Sequence, residues 1–318
     1  MKKDKKNNPE TLGGRLKGYE SDYEREIDPE LHIVCRIDGH KFSKFTKGFL
    51  KPFDEILSNA MVLTTIDLLE EFNAVTSYTQ SDEITLIIPS LKDITVDNRE
   101  SHKHKIHKRI REDWKHEYSG RVQKMSSLIA GFTTMKFNKH LKDEADKFYD
   151  SKCINNPSKV DNETYENYVS YIQNIYSKKI GNAWFDCRVY GVDTDEEAFN
   201  SVLWRIRDAE KNSRSMFAQS FCSHKELQGK TGLEQVEYCK EKTGKDWNNI
   251  EDKYKYGVLV KKEQYEKECK IYISNRRKGE EPLETTGASI ALRTRFVQWA
   301  QHLVYSEDNV NLIMRKYK

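Results

Sequence analysis

Apolar residues recur along this chain at two distinct periods. From Leu31 to Asp38 they alternate, so that Leu31, Ile33, Cys35 and Ile37 share one face, as in a half-buried strand. Phe53, Ile56, Leu57, Ala60 and Met61 then recur at three- and four-residue steps, which predicts an amphipathic helix to about Phe72. Pro52 suits its first turn or the residue before it. Residues 74–79 and 83–89 are rich in strand formers, and Gln80-Ser81-Asp82 between them predicts a hairpin. Val122, Met125, Ile129 and Phe132 predict a second helix over roughly 118–139. Residues 184–192 read as a further strand. Thr194-x-x-Glu197 has the form of a capping box opening a helix to about Phe221.

This order is strand, helix, strand, strand, helix, strand. It predicts an α+β fold: the βαββαβ ferredoxin-like palm, an antiparallel sheet with helices on one face, plus additional helices. Residues 140–182 interrupt it before the last strand and are rich in Asn, Asp, Lys and Tyr. They are too long for an ordinary connection and read as a polar insertion. Tyr165, Tyr168, Val169, Ile172 and Tyr176 are spaced there like one face of a helix. The expected organisation is an N-terminal segment (1–30), the first part of the palm (31–139) and the insertion (140–182). The last palm strand with a helical region (183–262) and a C-terminal region (263–318) follow. Residues 262–284 read as polar, with a basic Arg276-Arg277-Lys278.

Composition narrows the picture. The 318 residues carry 54 Lys+Arg against 51 Asp+Glu, a net charge of +3. That excludes a wholesale basic coat but not a local basic groove. Charged residues make up 33 %, above the roughly 25 % of an average chain, and the hydrophobic fraction is 36 %, so the core is modest. Aromatic content of 11 % excludes wholesale disorder. No apolar stretch approaches the ~18–20 residues of a membrane span. The charged N-terminus lacks a following apolar region and reads as a solvated tail rather than a secretory signal. Six scattered cysteines without a C-x-x-C suit reduced thiols in a cytoplasmic compartment.

The predicted topology places candidate chemistry. Asp38 ends the first strand, and Asp82 and Glu83 sit at the hairpin. First and third strands are neighbours in this fold, so Asp38 and Asp82 should meet at one end of the sheet. Two converging carboxylates can bridge two Mg²⁺ ions about 3.5–4 Å apart and support phosphoryl transfer. Period two puts Arg36 on the face of Asp38, where a guanidinium can meet a triphosphate. Arg121 and Lys124 share a face of the second helix. Each feature alone also fits a solvated turn or surface charge. His102–Arg111, with Lys105 and Arg109, is the most basic stretch; it fits an RNA contact and a solvated loop equally well.

These residues carry a family pattern. Leu12-Gly13-Gly14-Arg15-Leu16-Lys17-Gly18-Tyr19-Glu20 resembles the L-G-D-R-M-K-x-Y-E motif of the tRNA(His) guanylyltransferase superfamily. Arg36-Ile37-Asp38-Gly39-His40-Lys41-Phe42 is similar to its R-[IV]-D-G-[RK]-x-F. Gly48 to Asp54, with Lys51-Pro52, resembles its F-x-K-P-[NF]-D, and Gln80-Ser81-Asp82-Glu83 matches Q-S-D-E. Arg121-Val122-Gln123-Lys124 resembles R-x-x-K, and Phe185-Asp186-Cys187-Arg188-Val189 resembles F-D-x-R-V. The ordered set is the specific signal.

The resemblance implies a palm enzyme adding nucleotides in the 3′–5′ direction at the 5′ end of tRNA. ATP or GTP activates the 5′ end, which the 3′-hydroxyl of an incoming nucleotide attacks. It implies Asp38 and Asp82 as carboxylates for two Mg²⁺ ions, Gly39 as a backbone carbonyl ligand, and Glu83 as support for this catalytic centre. Arg36, Lys51, Ser81, Arg121 and Lys124 would contact nucleotide phosphates. Arg15, Lys17 and Asn212 join Lys105 and Arg109 as RNA-contact candidates. A homo-oligomer, of tetramer type, is also implied. The chain departs from the family's H-I-N-N-L-Y-N-T helix, with Glu210 where the His would fall, and carries Ser43 where many members have His. The first departure points to the guanylyltransferase-like branch, which repairs 5′-truncated tRNAs from a template. Addition of G at the −1 position of tRNA(His) is the alternative. A nucleotide cyclase, a 5′–3′ polymerase and a catalytically silent RNA-binding palm are rivals. The Lys17-Gly18-Tyr19-Glu20 and Lys51-Pro52 motifs argue against the first two. The intact carboxylates argue against the last.

Overall fold

A computed structural model of the chain describes residues 11–91, 115–154, 170, 173–270 and 288–315. Strands β1 (His32–Gly39), β2 (Thr76–Gln80), β3 (Glu83–Ile88), β4 (Phe185–Val192), β5 (Val258–Lys270) and β6 (Ala288–Trp299) form one antiparallel sheet. The order across it is β4-β1-β3-β2-β5-β6, so the first four strands have the palm arrangement predicted from the element order.

The alternation in β1 decides which layer covers which face. Ile33, Cys35 and Ile37, with Ile84 and Leu86 of β3, pack against α3 (Glu55–Glu71) and α4 (Val122–Ile154), which follow the short α1 (Leu12–Ser21) and α2 (Phe42–Phe45) in the chain. Ile56, Ala60 and Met61 come from α3, and Met125, Ile129 and Phe137 from α4. Each fully buried side chain of this size stabilises by roughly 1.5–3 kcal/mol. These are the two palm helices on one face. The opposite face is also covered. Val34, Ile87 and Leu259 pack there against Phe199, Val202 and Ile206 of α5 (Asp195–Phe221) and against Val310 and Ile313 near the C-terminus. The added helices thus make a third layer.

Local chemistry explains the boundaries. Asp54 caps α3 by accepting from the Leu57 N–H at 2.9 Å. Thr194 caps α5 by accepting from the Glu197 N–H at 3.2 Å. The Glu197 carboxylate turns to the Asn200 amide instead of closing a box. The helix predicted over 118–139 runs on to Ile154, because Phe137, Leu141 and Ala145 continue its buried stripe. Tyr176, from the stretch read as an insertion, is buried in the same core.

The second half of the sheet was not legible. Residues 262–284 read as polar, yet β5 and β6 pair over twelve positions, from Leu259 with Trp299 to Lys270 with Ala288. Among the described residues, no third strand pairs with this ribbon beyond Val260, and Gln264, Glu266, Lys267 and Arg293 to Arg295 are exposed, so no continuous apolar row marks it. Cross-strand polar pairs serve instead: Arg295 donates to Glu263 at 2.6 Å and lies over Tyr265. Among the described residues, no helix is long and apolar enough to cross a membrane.

Candidate active site

The β1–β3 register brings the carboxylates together. Asp38 lies directly opposite Glu83 on one side and Asp186 of β4 on the other. Directly paired residues share a face, so Asp38, Glu83 and Asp186 form a row on the side covered by α5. Asp82 stands one residue beyond, at the tip of the two-residue turn between β2 and β3. Ser81 adopts the left-handed conformation there, at φ 50°, and its hydroxyl donates to the Asp82 carboxylate at 3.1 Å. The Gly39 N–H donates to the Asp82 carbonyl at 3.1 Å, which ties the end of β1 to the turn.

Gly39 is needed for a reason that its sequence context did not show. Asp38-Gly39 reads as a turn, yet Gly39 stays within β1. A Cβ there would come within 2.2 Å of the Phe42 ring. Phe42 belongs to an aromatic cluster with Phe45, Phe137 and Phe185, and this close approach seats the loop that leads to Lys51.

Burial pushes the Asp82 carboxyl up to about 6, and the neighbouring Asp38 and Glu83 add repulsion. A local excess of negative charge on oxygen ligands favours a hard divalent cation. Glu83 is the neutralised member. Arg205 of α5 donates to it through both Nε and Nη2, the former at 2.7 Å. Nη2 also reaches Asp208 at 3.0 Å.

A cavity of about 890 Å³ opens at this end of the sheet. Of the residues singled out from sequence, Lys51, Ser81, Asp82, Glu83 and Asn212 line it. Arg36 stands two residues before Asp38 on the same face, over the Trp204 ring at 5.3 Å. Asn212 is exposed, and its amide donates to Asp208 at 2.9 Å.

The other cations are elsewhere. Arg121 forms a bridge with Glu26 just before α4, and its guanidinium reaches Glu24 at 3.1 Å. The neighbouring Gly120 carbonyl accepts from Ile27, whose side chain lies beside Gly191, opposite Ile33. Arg121 therefore stands at the far end of β1. The five steps from Ile33 to Asp38 span roughly 16 Å. Lys124 follows on the same helix, over the Tyr118 ring. Arg15 and Lys17 are exposed on α1, which buries no residue. Lys105 and Arg109 lie outside the described residues. Glu210 is not part of the cavity wall; it pairs with Arg214 and lies 3.8 Å from His302.

Sequence reasoning missed Arg205 and Asp208, and gave Asp186 no role. The only signal for the helical pair was its i, i+3 spacing. Period two in β4 could have put Asp186 and Arg188 on one face, but the register to Asp38 is a tertiary fact.

Comparison with known proteins bears on this geometry. The family profile Thg1, tRNAHis guanylyltransferase, matches residues 13–192. An uncharacterised protein of Acanthamoeba polyphaga mimivirus is 32 % identical over 269 residues, covering 80 % of this chain and 78 % of that protein. The tRNA(His) guanylyltransferase of Candida glabrata is 25 % identical over 252 residues, covering 73 % of this chain and 83 % of that enzyme. A solved bacterial tRNA(His) guanylyltransferase-like protein in complex with ATP superposes with a TM-score of 0.59 at 27 % identity, covering 80 % of this chain and 87 % of that one.

Proposed function

The chain belongs to the Thg1, tRNAHis guanylyltransferase, family, and from that premise we propose that it adds nucleotides in the 3′–5′ direction to the 5′ end of tRNA, as template-dependent repair of truncated ends. It is a nucleotidyltransferase of that family. The observation that carries the reading is the meeting of Asp38 and Asp82 at the edge of a cavity lined by Lys51 and Ser81. ATP and GTP are the expected substrates; the ATP complex of the bacterial relative supports this.

Magnesium fits the donor set. The Asp38 and Asp82 carboxylates and the Gly39 carbonyl are hard oxygens, and the carboxylates stand close enough for Asp38 to repel Asp82. Two bound ions would polarise the triphosphate and make the attacking hydroxyl more acidic. The protein's own groups do the rest. Lys51 neutralises phosphate at the cavity rim, and the Ser81 hydroxyl donates to a phosphate oxygen. Arg36 meets charge that develops beside Asp38. Arg121 and Lys124 lie away from the cavity, at the far end of the sheet, and together with the exposed Arg15 and Lys17 they are assigned to the RNA rather than to the nucleotide. A soluble, cytoplasmic enzyme and a homo-oligomer belong to the same reading.

Repair is favoured over −1 addition by Glu210. Its carboxylate is engaged with Arg214 and presents no imidazole to an RNA. The similarity to the Candida glabrata enzyme keeps G addition to tRNA(His) as the second reading.

The test is incorporation of labelled GTP and ATP, with Mg²⁺, into full-length tRNA(His) and into a tRNA lacking its first 5′ nucleotide. Labelling that prefers the truncated transcript, follows its template base and disappears in Asp82→Ala is expected. Labelling of intact tRNA(His) with G alone would move the assignment to the second reading. Incorporation unchanged in Asp82→Ala would end both. RNA binding without incorporation would leave the silent palm.

A further inference from the structure

Glu83 lies beside both proposed metal carboxylates, and what orients it comes from a different layer of the fold. Arg205 projects from α5, and its side chain is 8 % exposed. Its Nε donates to Glu83 Oε2 at 2.7 Å, and Nη2 donates to the same oxygen. Gln80 Nε2 donates to that oxygen too, at 3.1 Å. Nη2 is also held by Asp208 Oδ2 at 3.0 Å, and this oxygen accepts the Asn212 amide at 2.9 Å. The guanidinium rests over the Trp204 ring at 4.7 Å. One oxygen of Glu83 therefore takes three N–H donors, while Oε1 has no hydrogen bond among the described residues.

We propose that Arg205 is a positioning residue for the divalent-cation site: it locks Glu83 by one oxygen and cancels its charge, so that Asp38 and Asp82 are left to hold the ions. This rests on the reading of those two carboxylates as cation ligands.

Charge bookkeeping supports the role. Asp38, Asp82 and Glu83 together carry three negative charges when ionised, gathered at one end of the sheet. A guanidinium does not lose its proton in a protein, so Arg205 is a fixed positive charge against one of the three. Removing it would leave the partly buried Glu83 carboxylate beside Asp82 with only the Gln80 amide as donor among the described residues. The carboxylate would then be free to swing toward the ion, which disturbs the ligand geometry. Lysine cannot replace it. One ammonium has no planar fork to engage Glu83 twice and Asp208 once. Groups that support metal ligands in this way typically change metal affinity about 10- to 100-fold.

The experiment is Mn²⁺ binding to the full chain, followed by electron paramagnetic resonance without nucleotide or RNA. It compares wild type, Arg205→Lys, Glu83→Gln, the double variant and Asp82→Ala, each with a thermal melt. Arg205→Lys should weaken Mn²⁺ binding at least tenfold while retaining a cooperative melt. On the Glu83→Gln background the same change should add less than twofold, because its effect runs through Glu83. A purely structural role would give the same factor on both backgrounds and would overturn the proposal, as would Mn²⁺ affinity of Arg205→Lys within twofold of wild type. If Arg205→Lys does not fold, Asp208→Asn, which removes one anchor of the guanidinium, should weaken binding at least threefold. No change there counts against the proposal. Asp82→Ala separates the two levels. Loss of binding in Asp82→Ala but not in Arg205→Lys would sink only the role of Arg205; retained binding in Asp82→Ala would sink the metal reading and this inference together.

Discussion

The two ends of the sheet handle charge in opposite ways. At the hairpin end, Glu83 meets Arg205 where the arginine side chain is nearly buried, and Gln80 and Asp208 complete the network. At the far end, Arg121 meets Glu24 with side chains 33 % and 37 % exposed. Breaking a buried pair costs about 3–5 kcal/mol, since the charge left behind has no water to turn to. An exposed pair contributes about 0–1 kcal/mol and is screened by salt. The hairpin end is thus organised before any ligand arrives. The far end holds its cations loosely, and Glu24 can be exchanged for a phosphate at little cost. α1, which carries Arg15 and Lys17, buries no residue and is likewise loosely held.

The largest expected effect comes from Asp38→Asn. Nucleotide incorporation should fall by more than the ~100-fold typical of a residue that merely supports a ligand. The melting temperature should hold or rise, because repulsion with Asp82 is relieved. A clear drop in melting temperature would mean that Asp38 is structural, and the contrast between the ends would weaken.

Lys261→Met tests whether burial, rather than position along the sheet, makes a charge rigid. Lys261 is fully buried and donates to the Val75 carbonyl at 3.1 Å, the Thr76 hydroxyl at 2.7 Å and the Ile313 carbonyl at 2.9 Å. Its loss leaves those acceptors short of a donor and should cost about 1–3 kcal/mol in urea unfolding. Burial pulls its ammonium down to about 7 from the usual 10.5. Between those values the unfolded chain holds a proton that the folded chain lacks, so this group makes stability rise with pH. Wild type should therefore gain stability from pH 7 to pH 10 relative to Lys261→Met. Parallel curves would show that the ammonium stays charged in the fold.

Tyr176→Phe probes the wall of the cavity. The Tyr176 hydroxyl donates to Asp54, which also accepts from the Leu50 and Leu57 N–H groups. Removing it should cost about 1–2 kcal/mol in a thermal melt. No change would mean that the two backbone donors suffice.

The smallest effect on stability is expected for Arg121→Ala, below about 0.5 kcal/mol. Its signature lies in RNA binding, where the slope of log affinity against log salt should fall by about 0.7–0.9. A large loss of stability with an unchanged slope would reverse the contrast.

Legibility followed the same division. The alternation of Ile33, Cys35 and Ile37 and the helical spacing from Ile56 to Met61 were readable because each element buries one face. The β5–β6 ribbon was not, because its described residues beyond Lys261 are exposed or only partly buried and polar cross-strand pairs such as Glu263 with Arg295 take the place of an apolar row. Asp38 and Asp82 could be brought together from strand order alone. Arg205 could not, since nothing near residue 205 in the chain announces a carboxylate 122 positions away.

By itself, the sequence determined the palm order of its first four strands, the helices that cover one face, and the end of the sheet where the carboxylates gather. Periodicity and turn chemistry are local, and they suffice for that. Only the tertiary structure decided that α5 closes the opposite face, that its buried arginine neutralises Glu83, and that Arg121 and Lys124 stand at the far end from the cavity. Those outcomes depend on register and on which layer packs over which, and a register is settled only when distant segments compete for the same buried surface.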